Sequence, residues 1–294
     1  MYRNMKKDSN MLFFFFKKKS IVFNLIYYIC LIVYQICFII GRNIITFFSS
    51  VGGFCSFFKK NLLFLFNKTF FLKNFLNSLF DNGFCSIPVA ALTGFFTGLV
   101  LTFQLFLSLE IFGGINEAVP NIVLIALMKE LGPVLCAIIL VSRVGSSMSA
   151  EIGSMSINNQ IDVLKTMSVS VYKFLYIPNI LSMLLAQPIL TIISVITGVI
   201  GSFIVSTQIL SNLTETCFYN LIYKSIEYRS FIMCIIKSCV FGLIISSVAC
   251  YKGSKTYNGA VGVRNTTIST VVMCCVFILI FNFLITWIFG KFYL

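Results

Sequence analysis

The fold is decided by residues 130–167, which read ELGPVLCAIILVSRVGSSMSAEIGSMSINNQIDVLKTM. The first part of this stretch is as apolar as a membrane-spanning helix, whereas the last part is polar, has helical spacing and does not suit the lipid interior. Because the change occurs within a few residues, we interpret the stretch as a membrane helix that runs directly into a short amphipathic helix at the membrane surface.

The composition excludes a soluble domain. Hydrophobic residues make up 59% of the 294 residues, charged residues 11%, and the mean hydropathy is +0.98, which leaves too little polar surface for water. The net charge of +13 does not indicate nucleic-acid binding, because half of the 22 basic residues precede position 81 and adjoin Phe-rich stretches. Anionic lipid headgroups are the expected partner of such segments. The sequence therefore predicts an all-α integral membrane protein in a lipid bilayer, with no nucleic-acid partner.

The residue types also exclude most enzyme chemistry. The chain has 11 cysteines but no histidine and no CxxC pair, which predicts inert buried thiols, no metal site and no Ser-His or Cys-His nucleophile. The phosphate-loop pattern GxxxxGK[ST] is also missing. We therefore expect no catalytic residues and no cofactor bound by this chain, so any ATP is hydrolysed by a partner subunit.

Five segments are long and apolar enough to span a membrane as helices, since a span needs roughly 20 residues. They are residues 84–109, 121–142, 174–206, 231–250 and 268–290. The third contains Pro178, Gln187 and Pro188, which predict a kink. The connections 59–81, 143–173 and 251–265 carry most of the loop lysines and arginines, which predicts that they lie on the cytosolic side or its organelle equivalent.

The N-terminal region has several interpretations. Residues 1–41 contain an apolar run after three lysines, which is compatible with a removable targeting segment, an extra span or a helix in the membrane interface. We favour a targeting segment followed by an interfacial helix within residues 42–83, where lysines alternate with aromatic residues. Residues 84–290 then form the membrane domain.

Four sequence blocks occur in a fixed order in the middle of the chain. They are Glu130-Leu131-Gly132-Pro133, Ser142-Arg143-Val144-Gly145-Ser146, Ala150-Glu151-Ile152-Gly153-Ser154-Met155 and Gln160-Ile161-Asp162. In content and spacing they resemble the MlaE/YrbE family of permeases, the membrane subunits of ATP-driven lipid transporters, to which plastid trigalactosyldiacylglycerol-type permeases are related. The chain departs from the family pattern at residues 168–171, where a Gly-Val-Asp-Pro-like turn is usual, and at Asn179, where an arginine is usual.

The resemblance implies a function and a set of partners. It implies five spans after an interfacial helix, a cytosolic or stromal-side ABC ATPase, an MCE-type lipid-binding protein and a second copy of this chain. The implied function is movement of phospholipid or a related polar lipid to or from the MCE-type carrier, in a plastid-type inner envelope or a bacterial inner membrane. Two alternatives are a secondary transporter or channel that works without an ATPase, and a membrane scaffold that transports nothing.

The polar end of the opening stretch is the candidate coupling helix between the second and third spans. Apolar residues after Glu151 form a stripe at helical spacing, and polar residues face elsewhere. Such a helix either rests on lipid headgroups or lodges in a groove of the ATPase and transmits its movement. The candidate coupling residues are Glu151, Met155, Gln160, Asp162 and Leu164, with Glu151 and Asp162 as polar contacts.

Charges within the spans mark the candidate substrate cavity, because ionisable residues in lipid usually face a cavity or a partner. Lys129 and Glu130 lie in the second span and Lys237 in the fourth. Either these residues line a cleft that receives a phosphate headgroup, or Glu130 and Lys237 form an ion pair that only holds the helices together. Small or helix-bending residues nearby are candidates for a hinge or for tight packing: Gly132, Pro133, Gly145 and Gly153.

Overall fold

The computed structural model describes the backbone of residues 72–111, 118–209, 214–257 and 259–293. Before residue 72 it describes residues 52–54, residues 56–61 and six single positions between 31 and 42, all of them helical. Most of the predicted targeting segment 1–41 and the first part of the predicted interfacial region 42–83 therefore lie outside the described residues. Met1–Ser56 and Phe57–Leu294 are separate units, and the helices below belong to the second.

From residue 72 onward, the described residues contain eight longer helices, one short 3-10 helix (Phe84–Ser86) and no strand. The helices are α1 (Leu72–Asn82), α2 (Ile87–Ile111), α3 (Val119–Ile157), α4 (Gln160–Thr166), α5 (Tyr172–Gln208), α6 (Glu215–Ser225), α7 (Tyr228–Ser254) and α8 (Gly259–Tyr293). Helices α2, α3, α5, α7 and α8 are long and apolar enough to cross a membrane. The predicted all-α membrane fold with five spans is confirmed.

Helix α3 continues to Ile157, well past the predicted end of the second span at residue 142. Several of its serines donate to carbonyls of the same helix, as when Ser149 Oγ donates to the Ser146 carbonyl at 3.0 Å, so a polar sequence still forms a helix. The helix ends where Asn159 adopts a left-handed conformation with φ of 56°. The amphipathic stretch is therefore two helices, the end of α3 and the short α4, rather than one.

Helix α5 lies at the centre of the bundle and packs against α1, α2, α7 and the first half of α3. Its crossing with α2 brings backbone against backbone, because a Cβ atom added at Gly98 would overlap the carbonyl group of Gly198. Gly94 has the same relation to the Ser194 carbonyl. The small residues of α2 thus pack within the chain, against α5.

Helix α1 has the features of an interfacial helix. Its exposed apolar residues Leu72, Leu76 and Phe80 repeat at four-residue intervals on one face. On another face, the Asn82 side chain donates to Ser182 Oγ in α5 at 3.1 Å. Helix α1 is therefore anchored to the bundle by hydrogen bonds and presents an apolar stripe outward.

The two ends of the bundle are distinguished by their short helices. The α4 end contains α4 and the α7–α8 connection, and the α6 end contains α6 and the last residues of α8. At the α4 end, Ser156 Oγ donates to the Thr256 carbonyl at 3.3 Å, and Gly153 packs against the Thr256 side chain. The Thr256 hydroxyl in turn contacts the Thr266 hydroxyl of α8 at 3.2 Å. The end of α3 is thereby joined to the start of α8.

Candidate substrate site and coupling surface

A charged cluster joins α3, α7 and α8. The Lys237 side chain is fully buried, and its Nζ donates to Glu130 Oε1 at 2.9 Å, to the Lys129 carbonyl at 2.8 Å and to Thr286 Oγ1 at 2.8 Å. An ammonium group has three hydrogens, so each has an acceptor. This complete set of partners is what a buried lysine requires in an apolar surrounding.

The position of the Lys129 acceptor follows from the sequence of α3. Pro133 has no N–H, so it cannot donate to the Lys129 carbonyl four residues earlier in the helix. Lys237 supplies a donor to that carbonyl instead. The same arrangement occurs in α5, where Pro178 has no N–H to donate to the Phe174 carbonyl and the Asn74 side chain of α1 donates to it at 3.2 Å. In both helices a π-helical turn, Leu127–Leu131 or Tyr172–Tyr176, lies just before the proline.

Two residues of α8 complete the cluster. Asn282 Nδ2 donates to Glu130 Oε2 at 2.9 Å, and the Thr286 hydroxyl lies 2.9 Å from Glu130 Oε1. The Glu130 carboxylate therefore receives charged and neutral donors from two neighbouring helices, yet its side chain remains 40% exposed. The sequence analysis missed Asn282 and Thr286. Their signal is weak but present, since they are polar residues four positions apart, on one face of an otherwise apolar helix.

Lys129 differs from the other two charged residues. Its side chain is half-buried, and within the described part of the chain its Nζ forms no hydrogen bond or ion pair. Glu130 and Lys237 balance each other, so the cluster retains one positive charge on Lys129. Residues 130, 237 and 286 are 7 to 11 residues from the α6 ends of their helices, or about 10 to 17 Å at 1.5 Å per residue.

The structure brings together two of the three predicted cavity residues as side chains. Glu130 and Lys237 form an ion pair, as in the alternative in which the pair only holds the helices together. Lys129 contributes its backbone carbonyl to this pair, but its side chain takes no part. The Glu130 side chain is also 40% exposed, and the alternative of a headgroup-binding cleft requires such access. In this conformation Lys237 is enclosed and accessible to no headgroup.

The predicted hinge and packing residues occupy helix contacts. Gly132 and Pro133 are buried, and a Cβ atom at Gly132 would lie 2.6 Å from Val195 Cγ2 of α5. Gly145 ends a second π-helical turn, Val141–Gly145, and faces Ile245 of α7. The helices therefore approach closely at Gly132 and, at the α4 end, at Gly153, whereas a Cβ atom at Gly145 would make an ordinary contact of 3.4 Å with Ile245 Cγ2.

The predicted coupling residues lie at the α4 end with different exposures. Glu151, Gln160 and Asp162 are exposed, and Asp162 forms an exposed ion pair with Lys165 at 2.7 Å. Met155 and Leu164 are half-buried against the bundle. The apolar stripe that helical spacing predicts after Glu151 consists of Ile152, Met155, Ile161, Leu164 and Met167. Val163 lies outside that prediction. In the structure Val163 is 53% exposed and Met167 is 68% exposed, and the two form an outward-facing apolar pair four residues apart.

A recess of about 590 Å³ lies behind α4. Its walls include Ile161 of α4, residues 168–171 and the first turn of α5. Phe57 closes one side and contacts the rings of Tyr176 and Tyr251 at centroid distances of 5.3 and 5.6 Å. Ile161 and Lys165 of α4 thus border an open recess that also reaches the first turn of α5.

Comparison with known proteins agrees with these features. The family described as Permease MlaE matches residues 75–288, which include the cluster and α4. The chain belongs to the MlaE permease family. A probable ABC transporter permease protein of Rickettsia prowazekii is 35% identical over 257 residues, covering 87% of this chain and 98% of the relative. A probable ABC transporter permease protein of Synechocystis is 32% identical over 203 residues, covering 69% of this chain and 76% of the relative.

A plastid relative belongs to the same group. The chloroplastic protein TRIGALACTOSYLDIACYLGLYCEROL 1 of Arabidopsis thaliana is 30% identical over 214 residues, covering 73% of this chain and 61% of the relative. This MlaE-family chain is therefore the membrane permease of an ABC transporter, an integral protein of a bacterial or plastid membrane, and it requires an ATPase partner.

Proposed function

We propose that this permease moves phospholipid or a related polar lipid between its bilayer and an MCE-type carrier protein, driven by a partner ABC ATPase. The observation that supports this most directly is the charged cluster within about three helical turns of the α6 end. Its Glu130 carboxylate is 40% exposed, and among the described residues the Lys129 ammonium has no partner. Charges at membrane depth are retained where they meet a polar substrate or partner. A lipid headgroup is the polar group that reaches this depth while its acyl chains stay in lipid.

Lys129 is the first contact for a phosphate in this proposal, because its ammonium is the one charge of the cluster left without a partner in the described residues. Glu130 lies beside it and orients Lys237. The Lys237 ammonium then becomes a second phosphate donor only when the cluster opens. The roles of the three residues are therefore sequential rather than equivalent.

Reconstitution tests the proposal directly. The permease, its ATPase and the MCE-type protein are placed in liposomes that contain labelled phospholipid, and transfer to or from the carrier is followed with ATP. We expect transfer to require both ATP and the permease. Equal transfer by the permease alone, without nucleotide or partners, would contradict the proposal and favour a transporter that needs no ATPase.

Replacing Lys129 by alanine is expected to reduce the transport rate about tenfold with no loss of thermal stability. The reason is that a hydrogen bond to a charged group contributes about 1.5 kcal/mol or more, and Lys129 Nζ makes no such bond within the described protein. Transport and the midpoint of thermal unfolding are measured on the same preparation. Lys224→Ala on α6 is the control, because that lysine is exposed and is not part of the cluster. An unchanged rate in Lys129→Ala would remove the first-contact role.

Coupling to the ATPase is assigned to the exposed surface of α4 in this proposal. Val163 and Met167 present apolar area, with the Asp162–Lys165 ion pair beside them, which is the composition of a helix that docks in a groove. Nucleotide-binding subunits of this class act as pairs, so two copies of this permease would form the membrane core around a two-fold axis.

Val163→Glu is expected to reduce copurification of the ATPase at least tenfold, because it places a charge within the apolar docking surface. The matched control is Ile226→Glu at the α6 end, since Ile226 and Val163 are both 53% exposed. Pull-down at equal permease levels measures the effect. Asp162→Ala together with Glu151→Ala tests the predicted polar contacts in the same assay. Undiminished copurification of the Val163 variant would place docking elsewhere.

A further inference from the structure

In the closed state of the charged cluster, α8 contributes Asn282 and Thr286, which contact Glu130. We propose that Asn282 and Thr286 form a latch that holds α8 over the Glu130–Lys237 pair, and that release of this latch admits the headgroup to Lys237. The inference rests on the proposed lipid transport. It adds two positioning residues and a moving helix to the site.

The Thr286 hydroxyl has an alternative acceptor when the latch opens. The Thr286 hydroxyl has one proton but two acceptors within reach, Glu130 Oε1 at 2.9 Å and the Asn282 carbonyl of its own helix at 2.9 Å. When α8 moves away, the hydroxyl proton turns to the helix carbonyl and stays bonded. The Lys237 ammonium and the Glu130 carboxylate are left with vacant positions, which a phosphate and an amine or hydroxyl of a headgroup fill.

The packing of α8 near the latch is one-sided. In this half of the helix Ile278 and Ile285 are buried, whereas a broad apolar face points away from the bundle. That face consists of Val276, Leu279, Ile280, Phe283, Leu284, Trp287 and Ile288. A helix that meets lipid on this face moves without exposing apolar area to water, because lipid replaces the lost contacts. The hydrogen bonds of Asn282 and Thr286 therefore contribute much of the free energy that favours the closed position of α8 over an open one.

Helix α8 also connects the latch to the coupling surface. Its start contacts the Thr256 hydroxyl through Thr266, and Thr256 is bonded to the end of α3 immediately before α4. The helix is continuous from Thr266 to Thr286, about 30 Å at 1.5 Å per residue. A displacement at the α4 end therefore reaches the latch through a single rigid element.

Chemical labelling of Lys237 tests the latch without requiring transport. The full-length permease in lipid nanodiscs is treated briefly with acetic anhydride, and acetylation of each lysine is quantified by mass spectrometry. In the wild-type protein we expect Lys237 to be protected and the exposed Lys165 to react. Thr286→Val and Asn282→Leu are each expected to raise Lys237 acetylation about tenfold, since each removes a hydrogen bond to a charged group. Lys165 acetylation is expected to stay unchanged.

Two controls separate the latch from general loosening. Thr286→Ser keeps the hydroxyl and is expected to restore protection of Lys237. Thr270→Val removes a buried hydroxyl of the same helix, which donates to the Thr266 carbonyl of α8 and, among the described residues, to no other group. This variant is expected to leave Lys237 protected. Lys237 that reacts freely in the wild-type protein, or stays protected in both latch variants, would overturn the proposal.

Lipid dependence of the ATPase provides the second measurement. In the reconstituted complex, Thr286→Val is expected to lower the phospholipid concentration that gives half-maximal stimulation several-fold, because a larger fraction of the permease is open before lipid binds. An unchanged value alongside increased labelling would show that the opening is not on the transport path, which overturns the latch as a gate. A wild-type complex that neither binds nor transports lipid would refute the proposed function, while the labelling result would still decide the latch.

Discussion

Replacing Lys237 by methionine is expected to abolish ATP-driven lipid transport and to destabilise the permease by about 2 kcal/mol. The substitution leaves the Glu130 carboxylate without its charged partner and the Lys129 carbonyl without its donor. Breaking a fully buried ion pair costs roughly 3–5 kcal/mol, and the smaller value reflects the 40% exposure of the Glu130 side chain. Transport and thermal unfolding of the purified variant measure the two effects.

The double variant Lys237→Met with Glu130→Gln separates the two interpretations of this pair. Both charges are removed, and the glutamine can still bond to Asn282 and Thr286, so we expect most of the lost stability to return. Transport is expected to stay absent, because no charge remains on α7 or at residue 130 to receive a headgroup. Transport at the wild-type rate in a stable double variant would show that the pair only holds the helices together.

The features of this fold that the sequence predicts are those that the lipid environment requires. Five apolar stretches had to be helices, because backbone groups in lipid have no other partners. The pairing of Glu130 with Lys237 was anticipated as one of two alternatives, since isolated charges at membrane depth are costly. Because proline lacks an N–H, Pro133 also implies a carbonyl without a helical donor in α3. The sequence does not show that Lys237 binds it.

Other features depend on which helices become neighbours, and hydropathy carries no such information. Asn282 and Thr286 are neutral, and a neutral polar residue in a span costs less than a charged one. Their presence alone therefore does not predict a partner. Their contacts with Glu130 and Lys237 depend on the packing of α8 against α3 and α7. The break at Asn159 was missed for a different reason, because helical spacing on both sides of it concealed a single left-handed residue.

Gly98→Ala is expected to destabilise the permease, although helix propensity alone predicts the opposite. Alanine in place of glycine in a helix favours folding by about 1 kcal/mol. At Gly98, however, the new Cβ atom would overlap the Gly198 carbonyl group and lie 2.8 Å from the Gly198 Cα. The obstructing atoms belong to the backbone of α5, so no side-chain rotation relieves the overlap and the two helices must separate.

Separation of α2 from α5 affects the whole bundle, because α5 also packs against α1, α3 and α7. We expect a net loss of about 2 kcal/mol for alanine, and for valine a failure to yield folded protein, since overpacking costs about 1–3 kcal/mol even where side chains can adjust. Thermal unfolding and the yield of monodisperse protein in mild detergent measure this series. Gly290→Ala is the matched control, because a Cβ atom there meets no atom of another helix in the described structure within 4 Å and only the gain in propensity remains. If Gly98→Ala were as stable as Gly290→Ala, the backbone contact between α2 and α5 would be wrong, and the central position of α5 would have to be explained by side-chain packing alone.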